Sequence, residues 1–351
     1  MFYKCSKCKE VWQYPISKCP NCFLELEKME SKEIKVVGVS KNIIPTIMHP
    51  NVPFYSLVLK DQNGNRWAYK TIKEYKVGDK FKLKRSKEKD AVAIWRVKYD
   101  ILSAIQKVMS LIKKIEIKKN TKIAILPTIT KPKHPYLSYN TSPQFLAGTL
   151  HYLIQRGANP KNIKVVNQSF NNIPIKTSIK KSQILKVCQK AQVVPLDLSK
   201  TKFIEKEVGE MKFQISEELF NNDLIINLPI LNLDPKIKIK GATNNIVKFL
   251  KKDNFLALKY LNNYEDVIIN LEKVFPEYLN LAEAISIQKE NKHVVRLGLV
   301  LAGLNSFNID RVFAKITSTS KLPEYLKSIN LENIPITGRK IKEVQYNVKE
   351  L

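Results

Sequence analysis

Four cysteines open the chain in two pairs, Cys5-Ser6-Lys7-Cys8 and Cys19-Pro20-Asn21-Cys22, with ten residues between them. Two Cys separated by two residues can turn both sulfurs onto one ion, and two such turns supply the four thiolates of a closed tetrahedral site. A closed all-sulfur site leaves no coordination position for water or substrate. Its role is therefore structural, holding together a segment too short to bury a core. Zinc is the expected ion, with a rubredoxin-like iron or a pair of disulfides as alternatives. Only Cys188 lies outside the two pairs, so no disulfide framework and no iron-sulfur cluster is expected.

Other chemically useful side chains are not spaced for a metal. His49, His134, His151 and His293 show no ligand spacing; His151 sits on a helix flank, and His134, between Pro132 and Pro135, belongs to a loop. Cys188 lies on an apolar helix face and reads as buried and inert.

The formal charge of +28 and pI near 9.7 invite a nucleic-acid reading. Only seven of the 60 basic residues are Arg, although Arg forks are the usual readers of bases and phosphates. The excess is spread on both sides of residue 100, and a Lys-, Ile- and Asn-rich composition is also the mark of a proteome-wide bias. Dispersed charge favours loose contact with acidic partners over a groove. The apolar runs at 224–230 and 297–304 are too short to span a bilayer, and Met1 to Cys5 carries no apolar targeting core. A cytoplasmic protein without membrane contact is expected.

A chain of 351 residues accommodates two or three domains. Behind the cysteines (1–30), branched and aromatic residues recur at strand length over 34–39, 54–59, 66–72, 80–84 and 92–97. Asn63-Gly64 supplies a hairpin turn and Gly78 a second break. Five short antiparallel strands predict a small all-β barrel of the OB type over 31–99. Tyr55, Trp67, Tyr69 and Trp95 stand amid Lys70, Lys73, Lys82, Lys84 and Arg85. That mixture can stack single-stranded nucleic acid or can be a barrel core with lysines outside it, which is the preferred reading.

The Cys pairs, Gly38-Val39-Ser40, the run from Val52-Pro53 to Leu59 and Tyr75-Lys76-Val77-Gly78-Asp79-Lys80-Phe81 together resemble domain-of-unknown-function family 35. The resemblance covers about residues 1–98. It implies a rubredoxin-like zinc ribbon joined to an OB barrel, associated with acyl-CoA and with thiolase-like or ketoacyl-synthase-like enzymes. An acyl-CoA-handling enzyme or another acidic protein is the expected partner. The family's usual leading helices are missing.

From residue 100 the period changes. Ile101, Leu102, Ile105, Val108, Met109, Ile112 and Ile115 recur at three and four residues behind Asp100 as cap. Strands at 123–126, 163–167, 193–198, 223–228 and 297–302 alternate with helices at 142–156, 182–191, 241–250 and 308–316, and 344–348 reads as a closing edge strand. The alternation predicts an α/β domain over 100–351 with a mainly parallel sheet covered on both faces. Ser142-Pro143 at one helix start and Gly157 at its end are a capped helix in sequence.

This region resembles domain-of-unknown-function family 362. The resemblance rests on Asn140-Thr141-Ser142-Pro143, on Asp223 to Pro229, on Gly241-Ala242-Thr243-Asn244-Asn245, and on Leu301-Ala302-Gly303-Leu304-Asn305 with Ile309-Asp310-Arg311-Val312. It implies an unsettled activity and a fold distantly similar to nickel-pincer lactate racemases. Several positions depart from the pattern. Leu126-Pro127-Thr128 stands for a usual Lys and Asn, Leu231-Asn232-Leu233-Asp234 for a Lys, Thr and His run, Asn244-Asn245 for a Lys-Asn pair, and 289–293 for a glycine-rich acidic turn. Asn cannot replace Lys in proton exchange, so an enzyme is the less favoured reading. What remains is a candidate ligand site of Thr141, Ser142, Asn227, Thr243, Asn244 and Asn245 at the carboxyl edge of the sheet, where an anion would be welcome. The same residues are equally helix caps and turn formers. Asp310 reads as a cap or helix-start residue, with a ligand role implied by the resemblance.

Overall fold

The computed structural model describes residues 2–13, 18–29, 31, 33–44, 52–71, 73–81, 90–112, 115–319 and 321–346. The chain divides into two units, Met1–Arg85 and Ser86–Leu351.

In the first unit, β1 (Phe2–Cys5), β2 (Val11–Trp12) and β3 (Leu26–Met29) form an antiparallel sheet in the order β2-β1-β3. The cysteine turns hang from its strand ends. A second antiparallel sheet consists of β4 (Ile34–Asn42), β5 (Phe54–Asp61) and β6 (Arg66–Thr71). Its core gathers Ile34, Val36, Tyr55, Leu57, Leu59 and Phe81. In the β5–β6 turn Gly64 alone of the Asn-Gly pair takes a positive φ, +84°, and its N–H donates to the Asp61 carbonyl at 3.0 Å. The Asp61 carboxylate also accepts the N–H groups of Asn63 and Asn65, each at 2.9 Å.

The five-stranded barrel expected here is not what the described residues form. The fourth predicted strand contributes one bridge, Lys80 to Lys35, and residues 82–84 lie outside the described residues. The fifth belongs to the other unit as β7 (Val92–Arg96), between strands of the large sheet. Val92, Ala93 and Ile94 are all fully buried, as in a strand covered on both faces; a barrel strand would alternate. The boundary between the units accordingly falls at 85/86, ahead of this strand.

The second unit continues with α1 (Ile101–Leu111), capped by Asp100, whose carboxylate accepts the Ser103 N–H at 2.7 Å. Next come β8 (Ile123–Pro127), α2 (Pro143–Gln155), β9 (Ile163–Asn167), α3 (Ile175–Lys181), α4 (Ile184–Ala191) and β10 (Val194–Asp197). A hairpin of β11 (Phe203–Val208) and β12 (Met211–Ser216) precedes β13 (Leu224–Leu228). A smaller one, β14 (Asn232–Asp234) and β15 (Lys238–Lys240), leads into the short α5 (Ala242–Asn245). The chain then forms α6 (Lys252–Leu261), α7 (Tyr264–Val274), β16 (Leu279–Gln288), β17 (Val294–Gly303), α8 (Ser306–Ile316), α9 (Glu324–Lys327), β18 (Ile336–Gly338) and α10 (Ile341–Val344).

The sheet has the order β10-β9-β8-β13-β16-β17-β7-β18. Strands β10 to β16 are mutually parallel, β17 runs antiparallel to both neighbours, and β18 is parallel to β7. Alternate strand residues feed opposite cores, as the period of two demands. Ile125, Val165, Ile226 and Val300 meet Ile105, Phe145 and Ile184 on one face. On the other, Ala124, Leu126, Val166 and Ile225 meet Phe249 and Ile268, and Ile94 and Leu301 meet Phe313.

Other boundaries also differ from expectation. The helix from 241 gives way after one turn to a tighter 3-10 turn, Ile246–Phe249. The α8 cap is Asn305, whose side chain accepts the Asn308 N–H at 3.1 Å, so the helix starts earlier than its Asn308. Val344 ends a helical turn in place of opening an edge strand, and residues 347 and 348 lie outside the described residues; β18 is the edge. Among the described residues no helix is long and apolar enough to cross a membrane.

Candidate functional site

The two cysteine turns are built alike. Cys5 N–H donates to the Glu10 carbonyl and Lys9 N–H to the Cys5 carbonyl; Cys19 N–H donates to the Leu24 carbonyl and Phe23 N–H to the Cys19 carbonyl. In each turn the residue behind the second Cys, Lys9 or Phe23, takes a left-handed φ of 64° or 57°. Two copies of a strained turn, with no Gly to ease it, aim four Sγ atoms inward. The four sulfurs lie within 4.8 Å of one another, and Cys8 and Cys19 are 3.6 Å apart. A tetrahedron with metal–sulfur bonds of ~2.3 Å has sulfur–sulfur edges of ~3.8 Å, so the donor set fits one ion. Without a cation these thiols cannot ionise together: the Cys8 N–H is the main force drawing Cys5 down to about 7, while burial heads the causes that push Cys22 up.

At the carboxyl edge of the large sheet, β8 and β13 end side by side, and the predicted residues meet there. Thr141 Oγ1 donates to the Leu228 carbonyl at 2.7 Å and accepts the Thr128 N–H at 2.8 Å. Thr128 Oγ1 donates to Asn245 Oδ1 at 2.9 Å. Asn245 Nδ2 donates both to the Leu126 carbonyl at 2.9 Å and to Asn227 Oδ1 at 2.8 Å. Asn227 Nδ2 in turn serves the Ala242 carbonyl and Asn280 Oδ1, at 3.0 and 2.8 Å. Thr128, Thr141, Asn227, Asn245 and Asn280 are all buried. The result is one hydrogen-bonded chain that ties β8, β13, β16 and α5 together.

Asp310 is a cap, but not of its own helix. From the middle of α8 its carboxylate accepts the Ala242 N–H at 2.7 Å, the Thr243 N–H at 3.0 Å and the Thr243 hydroxyl at 2.6 Å, the opening of α5. Gly241 permits this approach: a Cβ there would lie 2.1 Å from Asp310 Oδ1. Asn244 stands apart from the chain of amides, its Oδ1 taking the Gly241 N–H and its Nδ2 donating to Tyr264 Oη at 2.8 Å. Ser142 caps α2 through its hydroxyl, and its own N–H donates to Glu283 Oε2 at 2.8 Å.

Two buried carboxylates therefore stand at this edge, Asp310 accepting three hydrogen bonds and Glu283 that of the Ser142 N–H. Burial is the main cause that raises Glu283 to about 7 and Asp310 to about 6. Glu283, Asn280 and Thr128 escaped sequence reasoning. Their one signal was polarity inside an otherwise apolar strand, Leu279-Asn280-Leu281-Ala282-Glu283-Ala284, and beside the end of β8. His134 is exposed, and its side chain meets the Gln183 amide, at 3.2 Å, and the Tyr136 ring. Of the aromatics considered for nucleic acid, Tyr55 is core, Trp67 packs on Phe2 at 5.5 Å, Tyr69 packs on Phe81 at 4.9 Å, and Trp95 lies in β7.

Residues 123–315, from the start of β8 into α8, match the family model described as a domain of unknown function (DUF362). The match spans more than half of the chain. The protein belongs to the DUF362 family. The matched segment contains the whole amide chain, Glu283 and Asp310, and begins well after the cysteines. No curated protein matches this DUF362 chain. Among solved structures it is similar to the lactate racemase apoprotein from Thermoanaerobacterium thermosaccharolyticum, with a TM-score of 0.38 and 12% identity over 65% of this chain. The chain spans 57% of that protein's length.

Proposed function

We propose that this DUF362 protein is a zinc-containing accessory or ligand-binding protein whose α/β edge serves structure in place of proton transfer. The observation that supports the reading is the amide chain from Thr141 to Asn280, in which the predicted site residues are spent on one another and on backbone carbonyls. The groups occupied in this way offer a substrate neither a base nor an empty donor; Asn280 Nδ2, at the end of the chain, has no hydrogen-bond partner among the described residues. The all-thiolate donor set supports zinc, bound with no position left for chemistry. The proposed partner is an acyl-CoA-handling enzyme or another acidic protein, which suits the dispersed positive charge. Native mass spectrometry of the full chain purified from its own cells tests this. A zinc adduct accompanied by an acyl-CoA or a co-purifying subunit is expected; a chain carrying zinc alone counts against the reading.

A second reading, an active enzyme of the family, draws on Glu283 and Asp310, whose raised values suit exchange near neutral pH. Glu283→Gln tests the carboxylate on which this second reading draws. Gln keeps an acceptor for the Ser142 N–H and removes a buried charge. A carboxylate held above its unfolded value binds its proton more tightly in the folded state, so it favours folding at low pH and loses that contribution as pH rises from about 4 through about 7. At pH 8 the variant should therefore be more stable than wild type, by about 1–3 kcal/mol, and its stability should change less between pH 5 and 8. Urea denaturation at both pH values measures this. An unchanged pH dependence would show that Glu283 does not carry the buried charge.

A further inference from the structure

A small cavity of about 140 Å³ lies away from the amide chain, lined by Lys131, Tyr139, Asp234, Lys240 and Lys292 among others. Its floor is rigid. Asn232 Oδ1 accepts the Gln288 N–H at 2.7 Å, while Asn232 Nδ2 and Gln288 Nε2 donate to the Ser138 and Leu137 carbonyls at 2.8 and 2.6 Å. Its charges do not balance, since three lysines face one carboxylate. Asp234 is fixed by its own turn, its Oδ1 accepting the Lys236 N–H at 2.9 Å and the Ile237 N–H at 3.3 Å, and its Oδ2 lies 3.5 Å from Lys292 Nζ.

Lys240 is the informative residue. It is half-buried on β15, and among the described residues its amine has no hydrogen-bond acceptor and no carboxylate within 4.0 Å. Burial lowers its pKa first; Lys292 and Lys131 add to the lowering, and Asp234 opposes it. A partly desolvated ammonium beside two others is a standing cost, relieved by a negative charge placed among them. Its neighbour two residues earlier shows the contrast. Lys238 Nζ donates to the Pro235 carbonyl at 2.6 Å and lies 3.9 Å from Glu290.

We infer that this cavity binds a small oxyanion, a phosphate or a carboxylate, between the ammonium groups of Lys131, Lys240 and Lys292. Size fixes the class. A volume of 140 Å³ is about five water volumes at ~30 Å³ each, below the ~300 Å³ at which drug-sized ligands begin. A nucleotide or an intact coenzyme A does not fit inside; inorganic phosphate or a short dicarboxylate does. The site shares no residue with the amide chain and stands whether or not the cysteines hold zinc.

Isothermal titration calorimetry of the full chain at constant ionic strength tests it, with inorganic phosphate in one arm and malonate in the other. At least one anion should bind once per chain. Lys240→Gln should weaken that binding about tenfold or more, the loss of one charge-assisted contact, and should raise the melting temperature without ligand. Lys238→Gln should leave binding unchanged and should not raise the melting temperature. If Lys240→Gln fails to fold, Lys292→Gln carries the same expectation of weaker binding. Wild-type protein that binds neither anion at millimolar concentration overturns the inference, as does a folded Lys240→Gln that binds as tightly as wild type.

Discussion

Asp310→Ala should destabilise the α/β unit by about 3 kcal/mol, measured by urea denaturation followed through helical circular dichroism. Removing the carboxylate leaves two backbone N–H groups without their acceptor in a fully buried place, and leaves the Thr243 hydroxyl with the longer contact to Tyr325 Oη, at 3.2 Å. Each such donor costs about 1–3 kcal/mol. Against this stands the relief of a buried charge, whose rise to about 6 corresponds to some ~3 kcal/mol at neutral pH. The unpaired donors win, and they win by more at pH 5, where that relief falls to about half. Gly241→Ala acts on the same contact from the other side, because its Cβ would fall 2.1 Å from Asp310 Oδ1. The two losses should not add: the double variant should be about as stable as Asp310→Ala alone, since the contact can be broken only once. Additive losses would mean that Gly241 and Asp310 support α5 independently.

Removal of the proposed zinc should have the largest effect of all, and a local one. Structural zinc supplies ~10–16 kcal/mol of binding free energy to small ribbons, far more than the three short strands β1, β2 and β3 can supply from burial. A strong zinc chelator should release residues 2–29 to hydrogen exchange and free the thiols of Cys5, Cys8, Cys19 and Cys22. The Phe2–Trp67 edge contact should part, shifting Trp67 emission to the red. The α/β unit has its own cores, so its helical signal should persist. Cys5→Ser should reproduce the chelated state. Loss of the helical signal on chelation would contradict a purely local staple.

How much of this was legible in the sequence depended on how local the cause was. The cysteine turns, the Asn-Gly hairpin and the Ser142-Pro143 start are set by residues within a few positions of one another, and the structure has them where the spacing put them. Val92-Ala93-Ile94 was misassigned because three apolar residues in a row carry no period, and only their partners, β17 and β18, say which sheet they join. β16 went unread because Asn280 and Glu283 interrupt its apolar run, and both serve contacts with distant segments. Among the site residues, types and positions were visible, whereas their roles were not. That Asp310 caps a helix 67 residues earlier, or that Asn245 donates to Asn227, is tertiary information that no spacing contains. The lysines of the small cavity were hidden for a related reason. In a chain with 60 basic residues, only the fold distinguishes a solvated ammonium from one held without a partner.

The account stands most directly on the metal. Elemental analysis of the purified full chain, combined with thiol alkylation before and after chelation, should find one zinc per chain and Cys5, Cys8, Cys19 and Cys22 protected until the chelator is added. Iron or nickel in place of zinc, or four thiols that alkylate at once in the untreated protein, would contradict it.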